Sequence, residues 1–283
     1  MYGFSALGTD NRLIINGSSP ILTQMYRGKL TVNTLPRNPS GTLMGRGYGY
    51  CEVTYPYPVE TREPPLVFGI PTPRCANKGI GVFTHRGRPG GWIGFCVMIT
   101  GALFANNYSA MQMGFDSGWE YSVCGFGLAG DAGYAEYGMR LFGPTGKVIY
   151  DSAWPVVQFR GLLQTWTLSD FTRGYAMGHY WGYRDVSGDE DQVLAKGYHA
   201  WGVTDGTQGI LIASIGRIGT SLDVGNYDKK VAAAVTVGFP DASRTNLWSV
   251  AFFGLAQHPA GDVSDLNRWR MLIADFSQTK GAA

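Results

Sequence analysis

The chain of 283 residues is almost neutral, with a net charge of +2 at pH 7, and only 16% of its residues are charged. This balance excludes strong electrostatic attraction to nucleic acid or to an anionic membrane surface. Hydrophobic residues make up 45% of the chain and 41 residues are glycine, which favours a globular fold of short strands and tight turns. No apolar run is long enough for a membrane span, and no N-terminal secretion signal is recognisable.

The first element in chain order is a predicted β-hairpin. Residues 2–22 contain two apolar stretches on either side of GTDNR at 8–12, a segment rich in turn-forming residues. Further along, YPYP at 55–58 alternates tyrosine with proline, and proline cannot donate to a sheet ladder. We therefore expect an edge or loop segment there. Apolar strands are predicted at 92–100 and 122–127.

The second half opens in the same way at residues 137–157, where GPTGK at 143–147 superficially resembles a phosphate-binding loop. A phosphate loop needs four residues between its first glycine and Gly-Lys, followed by Ser or Thr, whereas this segment has two, followed by Val148. The segment is therefore predicted to be a hairpin turn. Strands are predicted beyond it at 208–218, 230–239 and 249–254.

Three sequence blocks recur in the same order along the two halves. They are 2–22 with 137–157, 26–35 with 159–168 after a two-residue slip, and 121–129 with 248–256. The repeat predicts an all-β protein of two tandem, homologous antiparallel β-sandwich domains, at 1–131 and 132–258. A short C-terminal appendage, 259–283, follows. Apolar spacing over 262–276 slightly favours a helix that docks on the second domain or on a partner.

The residues that carry chemistry form no recognisable constellation. No two of the four histidines have metal-ligand spacing, and the four cysteines lack a CxxC pair, so mostly buried, reduced thiols are expected. The acidic cluster at 185–191 is interpreted as a solvated loop. The sequence predicts no enzymatic activity, no cofactor and no metal site.

Aromatic residues supply the candidate interaction sites, because tyrosine and tryptophan contribute large contact areas at low entropic cost. Two stretches, 46–60 and 173–185, combine these residues with glycine, and the 262–276 segment adds one tryptophan. The candidate interface residues are Tyr48, Tyr50, Tyr55, Tyr57, Trp181, Tyr183 and Trp269.

The opening module resembles a family. Tyr-Gly, an apolar stretch, a glycine turn and a second apolar stretch ending in Asp-Ser occur at 137–152, and more loosely at 2–17, where Asn16 replaces the aspartate. This pattern resembles β-sandwich modules of minor tail and tail-tip proteins of tailed bacteriophages. The resemblance implies a non-enzymatic virion protein of the tail, baseplate or fibre attachment. Such a protein is assembled in the host cytoplasm with other tail proteins, as a homo-oligomer about the tail axis.

Two other functions stay open at this point. One is a carbohydrate- or receptor-binding adhesin module that uses the Tyr/Trp-rich loops to bind a cell-surface receptor. The other is a glycan hydrolase whose carboxylates come from distant parts of the sequence. Glycan binding that depends on Trp181 or Tyr183 would favour the first, and a cleft with two suitably spaced carboxylates would favour the second.

Overall fold

The computed structural model describes residues 5–7, 13–16, 21–35, 48–100, 112–127, 136–143, 145–163, 167–168, 193–200, 207–215, 217–224, 227–239, 242, 244, 246–257 and 271–277. The strands of the first half are β1 (Ser5–Leu7), β2 (Leu13–Asn16), β3 (Leu22–Thr31), β4 (Tyr48–Val59), β5 (Leu66–Pro71), β6 (Lys78–Arg88), β7 (Gly91–Thr100) and β8 (Asp116–Phe126). Those that follow are β9 (Arg140–Phe142), β10 (Val148–Asp151), β11 (Gln158–Leu163), β12 (Thr167–Leu168), β13 (Val193–Ala200), β14 (Gln208–Leu211), β15 (Arg217–Val224), β16 (Tyr227–Phe239), β17 (Asn246–Gln257) and β18 (Met271–Asp275).

The predicted all-β class is confirmed. The described helical segments are two 3₁₀ turns, Pro73–Cys75 and Ile212–Ser214, and the second of these divides the single strand predicted over 208–218. Strands such as β7 and β16 are rich in β-branched and aromatic residues, which suit a pleated, buried surface. Within the described ranges, no helix has the length and apolar character needed to cross a membrane.

Two large antiparallel sheets contain most of the strands. The first has six strands in the order β11-β18-β14-β5-β8-β3, and the second has the order β12-β13-β17-β16-β6-β7-β4, with β15 added on β16. Each sheet takes strands from both 1–131 and 132–258. The boundaries of the two predicted domains stay predictions, but strand pairing joins the two halves in both sheets.

The strand orders reveal an internal symmetry. From the middle of the six-stranded sheet outward, β5, β8 and β3 succeed one another on one side, and β14, β18 and β11 on the other. The larger sheet shows the same relation between β6-β7-β4 and β16-β17-β13. The mirrored order makes β8 the counterpart of β18, and β7 the counterpart of β17. The third sequence match, which equated 121–129 with 248–256, was therefore wrong as a structural equivalence.

A shared irregularity supports this symmetry. The pairing of β3 with β8 shifts between Gln24 and Tyr26, and the pairing of β11 with β18 shifts between Phe159 and Gly161. The two bulges are separated by the same number of residues as the matched positions of the first sequence block, 2–22 and 137–157. The two-residue slip introduced for the second block is therefore not needed. Arg160 thus occupies the position of Met25, and not that of Arg27.

The two predicted hairpins are confirmed. β1 pairs with β2 and β9 pairs with β10, each as a separate two-stranded antiparallel sheet. In the second hairpin the Gly143 N–H donates to the Lys147 carbonyl at 2.7 Å, and the Gly146 N–H donates to the Gly143 carbonyl at 2.9 Å. Gly146 has a φ of +77°, which glycine adopts without penalty. GPTGK is a turn.

The six-stranded sheet curls until its two edges meet at one end. Thr23 of β3 forms an antiparallel bridge with Val156, just before β11 begins. The Gln24 N–H donates to the Pro155 carbonyl at 2.8 Å, and the Val157 N–H donates to the Leu22 carbonyl at 2.9 Å. This contact closes the sheet around a small core, Leu22, Phe68, Ile70, Cys124, Val157, Ala274 and Phe276.

The main core lies between the two large sheets. Leu30, Val67 and Val123 from the six-stranded sheet pack with residues of the larger sheet such as Phe95 and Val97, and all five are fully buried. The two-layer arrangement agrees with the sandwich-like character expected from the sequence. The six-stranded sheet is thus buried on both faces, which explains the nearly continuous apolar run in β5.

The C-terminal segment differs from the expectation. Residues 271–275 form β18, which pairs with β11 and with β14, and Met271, Ala274 and Asp275 are buried. The helix favoured for 262–276 was therefore wrong over 271–275, while 262–270 lie outside the described residues. The segment completes the six-stranded sheet instead of resting on its surface.

Candidate interaction site

The feature with the clearest binding character is an irregularity in the edge strand β4. Thr54 pairs with Gly94 of β7, and the next pair is Val59 with Trp92. Residues 55–58 therefore stand opposite Ile93 alone, in what we call the Tyr-Pro bulge. Proline has no N–H for the ladder, so YPYP cannot continue the pairing. The prediction of an edge segment is confirmed.

The two tyrosines of the Tyr-Pro bulge face in opposite directions. Tyr55 is 5% exposed and belongs to the main core, where its ring stacks on Tyr26 with centroids 5.5 Å apart. Tyr57 is 70% exposed, and the prolines on either side of it are exposed as well. Tyr57 thus presents an aromatic ring to solvent from a strand whose preceding tyrosine is fixed in the core.

Hydrogen bonds hold the bulge and the chain that follows it. The Tyr26 hydroxyl donates to the Tyr57 carbonyl at 3.1 Å. The Trp92 indole N–H and the Gly90 N–H donate to the Thr61 carbonyl, at 3.0 and 2.9 Å. The Tyr-Pro bulge is therefore attached to both large sheets, because Tyr26 lies on β3 and Trp92 on β7.

An aromatic cluster lies beneath the bulge. Tyr55 packs against Phe95 at 6.2 Å between centroids, and Phe95 in turn contacts Phe83 and Tyr121 at 5.2 Å each. Burial raises the pKa of Tyr55 well above its usual value, with further contributions from Tyr121 and Tyr26. The Tyr55 hydroxyl stays neutral over the physiological range, so its role here is packing.

The structure separates the predicted interface residues. Tyr48 and Tyr50 are half-buried near the start of β4, with rings in edge-to-face contact at 5.9 Å. At about 3.3 Å per residue along the strand, Tyr50 and Tyr48 lie up to about 23 and 30 Å from Tyr57. Tyr55 was wrong as an interface residue, because its side chain is in the core. Trp181, Tyr183 and Trp269 lie outside the described residues, as does the acidic cluster at 185–191.

A second exposed apolar surface was not predicted. The β9–β10 hairpin leaves Tyr137, Met139 and Phe142 exposed by 88, 40 and 57%. An isolated two-stranded hairpin is only marginally stable in water, so such a surface is suited to packing against another molecule. The sequence signal was available, because the Tyr-Gly start of this module is itself one of the repeated features.

Ion pairs stabilise the two edge strands of the six-stranded sheet. Arg27 on β3 contacts Glu120 on β8 at 2.6 Å, and Arg160 on β11 pairs with Asp275 on β18. These are the two arginines of the repeated blocks, and each binds a carboxylate on the neighbouring strand. Both acidic partners were missed because they are far from the arginines in sequence.

The chemistry-bearing residues that the structure describes do not converge on a metal site. No group of three or more His, Cys, Asp or Glu side chains with the geometry for a metal ion occurs in the described ranges. The four cysteines are free thiols, three of them buried, which agrees with the expectation of mostly buried thiols. No family model matches the chain, and neither the curated proteins nor the solved structures provide a match.

Proposed function

We propose that this protein is a non-enzymatic assembly protein that acts through protein–protein contacts, as a component of the tail of a tailed bacteriophage. The observation that carries the proposal is Tyr57, an aromatic ring that is 70% exposed on a bulge tied to both sheets. Exposed tyrosines on an anchored backbone make strong interface contacts, because the side chain brings a large area with few rotatable bonds.

The phage assignment rests on the sequence resemblance. The residues that carry it, 137–152, form the β9–β10 hairpin and the turn that follows, so the motif corresponds to a structural unit. The apolar side chains exposed on this hairpin supply a second contact surface. In this proposal the protein binds other tail or baseplate proteins and copies of itself about the tail axis, and it resides in the virion.

The proposal is tested by site-specific photocrosslinking. A photoreactive phenylalanine analogue replaces Tyr57 in one variant and Met113 in a control, since Met113 is also exposed, by 57%, but lies outside the Tyr-Pro bulge. The variants are expressed alone and together with the products of the genes that flank this one. Crosslinks from position 57 to a tail protein or to a second copy, with few from position 113, are expected. A monomer that crosslinks to nothing from position 57 would contradict the proposal.

A carbohydrate-binding role is the second candidate, because an exposed tyrosine ring can also stack on a sugar. Tyr57 has the exposure for such a contact and is flanked by exposed Pro56 and Pro58. Binding to a glycan array that is lost in Tyr57→Ala and kept in Tyr57→Trp would support it. Binding that is indifferent to both changes would exclude Tyr57 as the sugar platform.

A further inference from the structure

His85 lies in the aromatic cluster that supports the Tyr-Pro bulge. Its ring contacts Phe83 edge-to-face at 4.7 Å and Trp92 at 5.6 Å between centroids. His85 Nδ1 is buried and has no hydrogen-bond partner. The residue as a whole is half-buried, but a proton added at Nδ1 would be shielded from water and without an acceptor, which disfavours the charged ring.

The groups around His85 cannot compensate such a charge. On the inner face of the larger sheet its neighbours are Phe83, Trp92 and its cross-strand partner Phe95, which leads on to Tyr121 of the six-stranded sheet. The charged side chains Glu52 on β4 and Arg86 on β6 alternate onto the outer face, where they lie 4.0 Å from each other. Cys96, also on the outer face, has a pKa raised by burial and stays neutral.

Trp92 connects His85 to the Tyr-Pro bulge. Its indole N–H donates to the Thr61 carbonyl at 3.0 Å, just beyond the bulge, while its ring packs on His85. Displacement of the His85 ring toward water would therefore disturb the residue that fixes the C-terminal end of the bulge. Phe83, on the other side of His85, stacks on Phe95 and so links the same movement to the packing under Tyr55.

We propose that His85 is an acid-sensitive latch, whose protonation loosens the Tyr-Pro bulge and mobilises the surface around Tyr57. Burial lowers the pKa of His85 below its usual value, so the neutral ring is the form that the folded protein prefers. The contribution of the neutral His85 ring to the stability of the fold is complete above the pKa that His85 has in the unfolded chain, near 6.5. It is lost as the pH falls below that value. The effect on partner binding rests on the proposed function, but the loosening itself does not.

Hydrogen exchange of the full-length chain tests the latch. Exchange of a peptide spanning 54–64 is measured at pH 7.5 and at pH 5 and corrected for the intrinsic pH dependence. Wild type is expected to lose protection in acid, by up to about tenfold for each unit by which burial lowers the His85 pKa. His85→Gln, which cannot titrate, is expected to show no acid-dependent loss, and His258→Gln, a control for histidine content, is expected to behave as wild type.

The outcome can be separated from a general folding defect. His85→Phe keeps an apolar ring between Phe83 and Trp92 and cannot titrate. It therefore replaces His85→Gln as the test variant if His85→Gln unfolds. An equal acid response in wild type and His85→Phe would overturn the latch, and so would unchanged protection of 54–64 in wild type between the two pH values. Because the isolated chain is measured, failure of the Tyr57 crosslinking experiment would leave this result unaffected.

Discussion

Arg160 and Asp275 form an ion pair across the β11–β18 ladder, in which the Arg160 Nε–H donates to Asp275 Oδ2 at 2.6 Å. The Asp275 side chain is 5% exposed and also accepts a hydrogen bond from the Ser277 N–H at 2.7 Å, whereas the Arg160 side chain is 55% exposed. Burial by itself would raise the pKa of Asp275, but the hydrogen bonds from Ser277 and Arg160 outweigh it, so the pKa is lowered. The pair fixes the strand that completes the six-stranded sheet.

We expect Asp275→Asn to destabilise the fold by about 1–2 kcal/mol at pH 7, because the hydrogen bonds to the carboxylate are lost. The cost is not larger because water screens the charge of the exposed Arg160 side chain. Since the folded pKa is lowered, the carboxylate's contribution is present above the unfolded pKa and lost as the pH falls through the folded value. The difference from wild type should therefore shrink below about pH 4.

Urea unfolding at a series of pH values measures this difference, with Glu120→Gln as the matched control. Arg27 and Glu120 are both 25% exposed, so water screens this pair more than a buried one, and removing the charge should cost about 0.5–1 kcal/mol. A penalty for Asp275→Asn that stays constant down to pH 3 would refute the ion-pair explanation.

The glycine at position 118 provides a sharp test of the packing between β8 and the first 3₁₀ turn. Gly118 has a φ of +70°, and a Cβ there would lie 2.2 Å from the Arg74 carbonyl carbon. Gly118→Ala should cost about 3 kcal/mol or more, because backbone atoms must move. Gly90→Ala is the control, since φ is +81° but nothing lies within 4 Å of the added carbon, and about 1 kcal/mol is expected. Equal penalties in thermal unfolding would contradict this account.

Thiol reactivity should follow burial. Burial is the main cause that raises the pKa of Cys75 and of Cys124 to about 12, and it also raises that of Cys51. Cys96 is only half-buried, so it should react first with iodoacetamide at pH 8, although burial raises its pKa as well. Peptide mass spectrometry over a labelling time course identifies the order. Early modification of Cys124, which is fully buried, would show that the core opens readily.

The two halves should unfold together. Trp119 on β8 stacks on Phe239 of β16 at 5.9 Å between centroids, and both residues are fully buried. Trp119→Phe should cost about 1–3 kcal/mol, and the loss should lower hydrogen-exchange protection in both halves. A calorimetric scan should show one transition for wild type and variant alike. Two transitions, or lost protection confined to the first half, would mean that the halves fold independently.

Local features were predictable from the sequence because their causes are local. Glycine placement in GPTGK and the prolines of YPYP determine a turn and an interruption of the ladder through backbone geometry alone. The burial of Tyr55 could also have been foreseen, since every second residue of a strand lies on the same face and Tyr55 shares the inner face of β4 with Cys51 and Val53. The same alternation leaves Glu52 and Thr54 exposed.

Long-range pairing was not predictable in the same way. The joining of the two halves in each sheet depends on pairs such as Gly69 with Ile210 and Lys78 with Phe239, which no short pattern encodes. The apolar spacing around 271–275 fits a helix and a strand almost equally, and only pairing with β11 and β14 decides between them. The match of 121–129 with 248–256 misled because short apolar motifs recur in strands that occupy different places in a sheet.

The position of β18 between β11 and β14 constrains how the protein is made. During synthesis β11 and β14 emerge from the ribosome well before residues 271–275, so the strand that joins them is not yet available. Until then both present unpaired backbone edges, which promote aggregation. Completion of the six-stranded sheet therefore waits until β18 has been synthesised, after both of its neighbours. Slow folding is the consequence we expect from this long-range pairing, whatever the protein ultimately binds.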